Sequence, residues 1–219
     1  MDKDRHNSGN SEFNMAGNMK FSVIIASFLG EYRTAAKDRD KKIIRAVKSI
    51  LNQSYQDFEI IVVADGCQKT IEVMKQITDE RVKTFLIPKS KTWSGEPRNK
   101  GIEEAQGEFI VYLDIDDLYG KEHLKNISEC LGSHDWVWFD DIRFDPRTED
   151  WFNNLCDITQ ISHHGTSNIC HKRTLAVKWS HIGYAHDYYF VLELRKNINF
   201  AKIQGGEYYV CHIPGGYDL

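Results

Sequence analysis

Short apolar runs at Phe21–Ala26, Phe58–Val63, Val82–Ile87 and Glu108–Leu113 restrict the fold more than any other feature of the chain. They are strand-sized, and longer stretches with helical periodicity separate them, as in a mostly parallel sheet with crossover helices. Between the first two, Asp38 to Gln53 places Ile43, Ile44, Val47, Ile50 and Leu51 on one face, with Asp38 or Asp40 at the end where a helix dipole favours an acid. Thr70 to Thr78 reads as a second helix. Pro97 opens a third that runs through Ala105 and ends at Gly107. Beyond Leu118 the periodicity loosens to a strand at Trp136–Phe139, a helix at Asp187–Lys196 and a last strand at Tyr208–Val210. The expected class is α/β, and no internal repeat is found.

The fourth run ends in Asp114-Ile115-Asp116-Asp117, three carboxylates in four positions. In open α/β sheets, ligands bind beyond the carboxyl ends of the strands, so these acids stand where a ligand would sit. Carboxylates this close repel one another. A hard divalent cation with oxygen ligands, Mn²⁺ or Mg²⁺, relieves that repulsion and is commonly shared with substrate phosphates. A solvated acidic turn is the competing explanation and the commoner one for Asp runs in general. Its weight falls here because the acids follow a buried strand.

Composition narrows the surroundings. A chain of 219 residues can bury a full core, and we expect one domain over 19–219. Residues 1–18 are polar, rich in Gly, Asn and Ser and without period, so they read as a disordered leader or cloning remnant. A net charge of -4 with no basic stripe argues against nucleic acid as a partner. No run is long enough to span a bilayer, and nothing at the N-terminus resembles a signal peptide. Five scattered cysteines without a CxxC pair favour reduced thiols and a cytoplasmic setting, with peripheral attachment to a membrane left open.

Other residues gather at the same sheet edge. Asp65 and Gly66 lie just past the second run, where glycine permits a tight turn and the carboxylate can accept from a nucleobase imide. An Asx turn explains that pair about as well. Arg98 begins a helix, a position suited to an anionic diphosphate, although a lone surface arginine would ordinarily mean nothing.

The order of these pieces is more specific than any one of them. Ser22-Val23-Ile24-Ile25, Ser49-Ile50-Leu51-Asn52-Gln53, Tyr55, Asp57, the run from Glu59 to Asp65-Gly66, Arg98-Asn99-Lys100-Gly101, Ala105-Gln106-Gly107-Glu108 and Leu113–Asp117 follow one another along the chain. In that order they resemble the family 2 glycosyltransferases, which have the GT-A fold, a Rossmann-like, mostly parallel central sheet flanked by helices. The resemblance covers roughly Phe21 to Leu118. Departures are Ala26-Ser27-Phe28-Leu29 where Pro-x-Tyr-Asn is usual, a charged insert from Gly30 to Lys42, and Cys67 where serine is frequent.

The resemblance implies a hexosyltransferase that moves a sugar from a nucleoside diphosphate, expected to be UDP, to a hydroxyl with inversion. It implies a donor site at Ser27, Phe28, Asp65, Gly66, Arg98, Asn99, Asp114 and Ile115. Asp116 would hold the metal, with His212 as an additional ligand, although a structural histidine explains His212 at least as well. The general base would be Asp187, in the place of the family's helix-start Asp, with helix capping as its ordinary explanation and Asp140 and Asp141 as rivals. Expected acceptors are saccharide, lipid-linked or other hydroxyl compounds, and a homo-oligomer is compatible with the sequence. His163 and His164 are adjacent and point to opposite faces of an extended chain, so they read as acceptor-side loop residues or as nothing. Trp93, Trp136, Trp138 and Trp179 are of the type that stacks on sugars, but core packing is the more frequent role. Two other classes compete: a nucleotide-sugar binding module without catalysis, and a metal-dependent phosphoryl or nucleotidyl transferase. Phosphatases with a nucleophilic Asp-x-Asp carry it on the first strand rather than the fourth.

Overall fold

The computed structural model describes residues 20–91, 94–180, 183 and 185–219. The 1–18 leader and Trp93 lie outside that set. In chain order the main elements are β1 (Phe21–Ser27), α1 (Arg39–Leu51), β2 (Phe58–Asp65), α2 (Gln68–Met74), β3 (Val82–Ile87), α3 (Gly95–Glu104), β4 (Phe109–Tyr112), β5 (Leu118–Tyr119), α4 (His123–Leu131), β6 (Trp136–Trp138), β7 (Asp141–Asp145), β8 (Asp150–Asn154), β9 (Ile169–Lys172), α5 (His186–Leu194), β10 (Phe200–Lys202) and β11 (Tyr208–Val210).

A seven-stranded sheet has the order β10-β6-β9-β4-β1-β2-β3. The neighbours β4, β1, β2 and β3 run parallel, and β9 pairs antiparallel with both β4 and β6. Strands β1, β2 and β4 are buried on both faces, which explains why they read as apolar runs, whereas β3 at the sheet edge is only half-buried. Strand parity divides the core. Val23, Ile25, Ile60 and Val62 meet Ile43, Val47 and Leu124 on one side. Ile24, Ile61 and Ile110 meet Tyr112, Trp179 and Phe190 on the other. Each fully buried side chain of this size contributes roughly 1.5–3 kcal/mol against exposure.

Beside this sheet lies a smaller one, ordered β5-β11-β7-β8. Of its elements, β11 was expected from the sequence, whereas β5, β7 and β8, along with α4, β9 and β10, were not legible there. Strand β8 is mostly exposed and polar, and β5 and β10 have two and three residues, too short for a period to emerge.

Boundaries also moved. Helix α3 opens at Gly95, two residues before Pro97, so the proline falls within the first turn, where helical N–H groups have no intrahelical acceptor. Helix α2 starts at Gln68 and ends at Met74, short of Thr78. Strand β2 runs on past Val63 to Asp65, making Asp65 the last residue of the strand rather than part of the turn beyond it. Gly107 does not end a helix. A Cβ there would lie 2.6 Å from the Ser22 backbone nitrogen, so glycine is needed for close approach to β1. That junction is sealed by Glu59, fully buried, which accepts from Ser22 Oγ, Lys83 Nζ and the Gln106 and Gly107 amides. Burial raises the Glu59 pKa, but these donors outweigh it and hold the carboxyl below its ordinary value.

Candidate active site

The carboxyl ends of β1, β2 and β4 open onto a cleft of about 750 Å³, closed opposite by β7, β11 and the segment after β11. Of the residues expected to hold a donor, Ser27, Phe28, Asp65, Arg98, Asp114 and Ile115 line it, together with Asp116 and His212. Gly66 and Asn99 are not among its walls.

Gly66 turns the chain behind the wall with φ +61°, and a Cβ there would lie 2.6 Å from the Lys89 Cα. That approach sets Lys89 and Ser90 against Asp65. The buried Asp65 carboxylate accepts from the Ser90 amide at 2.6 Å, Ser90 Oγ at 2.7 Å and Lys89 Nζ at 2.5 Å. A carboxylate has about four lone-pair sites, so one remains for an outside donor. Lys89 Nζ also lies 4.6 Å from the centre of the Phe28 ring. Ser27 pairs its hydroxyl with Thr70 of α2 at 2.9 Å. The insert after β1 is pinned by Arg39, which is buried and donates to the carbonyls of Phe28 at 2.8 Å and Gly30 at 2.5 Å while its guanidinium covers Tyr32.

The three acids do different things. Asp117 turns inward and accepts from Tyr208 Oη at 2.5 Å and the Cys211 amide at 2.7 Å, anchoring the ends of β11. Burial, then Asp116 and Asp114, pushes its carboxyl well above the ordinary range. Asp114 is 42% exposed and lies 3.3 Å from Arg98 Nη2. Asp116 is raised by burial and by Asp114, while Arg45 fixes its backbone carbonyl at 2.6 Å. A carboxylate facing a like neighbour in a partly buried cleft suits a hard cation. Among the described residues no three metal-ligating side chains converge, so the protein would supply few ligands and the diphosphate and water the rest, as Mg²⁺ and Mn²⁺ tolerate. His212 fits less simply. Its Nε2 contacts the Thr34 carbonyl at 3.1 Å, and Nδ1 stands 3.3 Å from Asp218 without hydrogen-bond geometry, so ligation would require giving up one of these.

Asp187 is the second residue of α5, 24% exposed, and is not among the residues that line the cleft. Thr166 donates its hydroxyl to Asp187 Oδ1, and His186 Nε2 is 3.2 Å from the same oxygen. Burial raises the Asp187 pKa, but His186, Arg98 and Thr166 outweigh it, leaving the carboxyl below its usual value and ionised at neutral pH. Arg98 joins this group to the cleft through Nη1 and His186 Nε2 at 2.9 Å. Of the rivals, Asp140 is committed to Lys202 at 2.6 Å and the Cys156 amide at 2.7 Å, and Asp141 lines the cleft but is paired with Arg143 at 2.7 Å. Asn99 holds the Trp179 backbone from both sides, at 2.8 and 2.9 Å. Trp136 and Trp179 are buried in the core and do not offer a face to a sugar.

Lys89, Ser90, Arg39 and Arg143 carry no signal in the sequence that marks them as site residues. Their roles depend on chain reversals that carry no spacing.

The profile of the glycosyl transferase family 2 matches residues 34–194. The chain belongs to that family. This family 2 chain is 39% identical over 94 residues to an uncharacterised glycosyltransferase of Haemophilus influenzae, covering 41% of this chain and 37% of the relative. It is 36% identical over 101 residues to GalNAc(5)-diNAcBac-PP-undecaprenol beta-1,3-glucosyltransferase of Campylobacter jejuni, covering 45% of this chain and 30% of that one. Structurally it is similar to Staphylococcus aureus TarS 1-349 in complex with UDP-GlcNAc, with TM-score 0.69, 20% identity, and coverage of 88% of this chain and 58% of the other. The family 2 chain has the GT-A fold, and it spans about a third of the length of the first of these relatives. No described helix is long and apolar enough to cross a membrane.

Proposed function

We propose that this chain transfers a sugar from a nucleoside diphosphate sugar, expected to be UDP-linked, to an acceptor hydroxyl with inversion. The observation that carries the reading is the convergence of Asp65, Arg98, Asp114 and Asp116 on one cleft at the carboxyl edge of the parallel strands. Asp65 keeps a lone pair for a base imide, and Phe28 offers a half-buried ring beside it. Arg98 faces the place of the leaving diphosphate, whose charge grows as the glycosidic bond breaks, so its interaction strengthens toward the transition state. Asp116 would hold a divalent cation, Mn²⁺ or Mg²⁺, with Asp114 directed at ribose or at the cation's water. When bound, that cation supplies electrostatic stabilisation of the departing phosphate. Asp187 takes the proton of the acceptor hydroxyl as the anomeric carbon is attacked from the opposite face. It is ionised, as a base must be, and the Thr166 hydroxyl sets its orientation. Saccharide, lipid-linked and other hydroxyl acceptors all suit this chemistry, and the lipid-linked saccharide in the name of the Campylobacter relative supports the second class.

A nucleotide-sugar binding module is the second reading, favoured by Asp187 lying outside the cleft lining with one oxygen already contacted by Thr166 and His186. One experiment separates the two. Thermal melting against a panel of nucleotide sugars, with and without Mn²⁺, identifies the donor, because a ligand bound only by the native state raises the melting temperature. The donor so identified is then incubated with saccharide and lipid-linked acceptors. Transfer product supports the enzyme, whereas stabilisation with neither transfer nor donor hydrolysis supports the module. No stabilisation by any nucleotide sugar overturns both.

A further inference from the structure

A buried chain of polar groups lies behind the cleft. Tyr112, at the end of β4, is buried, and its hydroxyl meets His171 Nε2 of β9 at 2.8 Å. His171 is itself buried, with Nδ1 at 3.0 Å from the Lys172 carbonyl. A neutral ring satisfies both contacts: Nδ1–H donates to Lys172, and Nε2 accepts from Tyr112. The Tyr112 oxygen then accepts from Trp179 Nε1–H at 3.1 Å. One rotation of the indole is fixed by this chain of hydrogen bonds, and the Asn99 amide fixes the backbone beneath it.

Both faces of the indole are in use. Phe190 of α5 stacks on it with centroids 3.9 Å apart and planes 3° from parallel. The Arg98 guanidinium carbon lies 4.8 Å from the ring centre. Arg98 is the residue whose two terminal nitrogens reach His186 at 2.9 Å and Asp114 at 3.3 Å. A guanidinium on a long, flexible stem loses much rotamer freedom when placed. An immobile aromatic face behind it restricts the positions it can take.

We propose that Trp179 is a positioning residue for Arg98. It acts by presenting a fixed indole face that aims the guanidinium at the diphosphate end of the cleft and at His186. Because Phe190 is on the same helix as His186 and Asp187, that contact also fixes the start of α5 relative to Arg98. Trp179 touches no substrate. The inference rests on the proposed diphosphate site and assigns it a support.

The test is a double-mutant cycle on binding, not turnover, using UDP with Mn²⁺ as the probe and calorimetry as the readout. Trp179→Leu removes the face and should weaken UDP about 10-fold, and the same change in an Arg98→Ala background should cost less than about 2-fold, because the residue it supports is gone. Trp179→Phe keeps a face toward Arg98 and Phe190 and should restore most of the affinity. Equal losses from Trp179→Leu in both backgrounds would overturn the proposal, since a merely structural residue weakens binding whatever stands at position 98. Should Trp179→Leu not fold, the cycle is run with Trp179→Phe and Tyr112→Phe, the latter freeing the indole N–H. Additive losses with Arg98→Ala then count against the proposal, and loss of the Tyr112→Phe effect in that background supports it. Failure of the wild-type chain to bind UDP would instead remove the diphosphate reading on which the inference stands.

Discussion

Asp116 and Asp117 are adjacent acids with opposite orientations, and the difference separates binding from architecture. Asp117 is sealed by Tyr208 and the Cys211 amide, so its loss would disturb β11. Asp116 opens onto the cleft and supports no core contact through its carboxylate. Asp116→Ala should therefore leave the melting temperature of the free protein within a few degrees and abolish the Mn²⁺-dependent part of UDP binding. Calorimetry that finds unchanged affinity in Mn²⁺ would refute its role as a ligand. Asp187→Asn preserves size and much of the capping ability but cannot take a proton. Donor affinity should persist while transfer falls roughly 10²–10⁴-fold. Undiminished turnover would exclude Asp187 as the base. The acids themselves were legible because a strand ending in carboxylates is a local pattern. Which acid turns inward was not, because the choice is made by Tyr208, about ninety residues downstream along the chain.

At the scale of elements, the junction between β1, β4 and the loop after α3 is closed by Gly107 and Glu59. The Cβ of an alanine at 107 would meet backbone atoms of Phe21 and Ser22 at 2.6–2.7 Å, and backbone cannot swing aside as a side-chain tip can. Gly107→Ala should lower stability by about 1–3 kcal/mol, the usual cost of overpacking. Urea unfolding checks it, and a midpoint equal to that of the parent chain would contradict the close-approach reading. The elements from β1 to β4 were legible because β1, β2 and β4 are buried apolar runs and α1 has an apolar stripe. The second half resisted for the opposite reason: β8 buries almost nothing, and β9 enters between β4 and β6 from a distant point in the chain.

For the molecule as a whole, two buried imidazoles contribute to how its stability responds to acid. Burial lowers the His171 pKa to about 4 and that of His123 to about 3, against an ordinary value near 6.5 when unfolded. Between those values the unfolded chain binds protons that the folded chain refuses, so stability falls as pH drops from about 6.5 toward 4. The raised carboxyls of Asp116 and Asp117 act in the opposite sense, because there the folded chain holds protons more tightly. His171→Gln retains a donor and an acceptor and removes one imidazole titration. It should flatten the decline of melting temperature between pH 6.5 and 4, whatever it does at neutral pH. An unaltered slope would show that His171 does not contribute.

The clamp of Arg39 on the Phe28 and Gly30 carbonyls bears on the thermodynamics of recognition. A loop that must be ordered by its ligand subtracts that ordering entropy from the affinity, whereas here the chain incurs it on folding. The wall beside the proposed nucleobase pocket thus stands in place before any ligand arrives, and the first encounter meets a shaped surface instead of an ensemble.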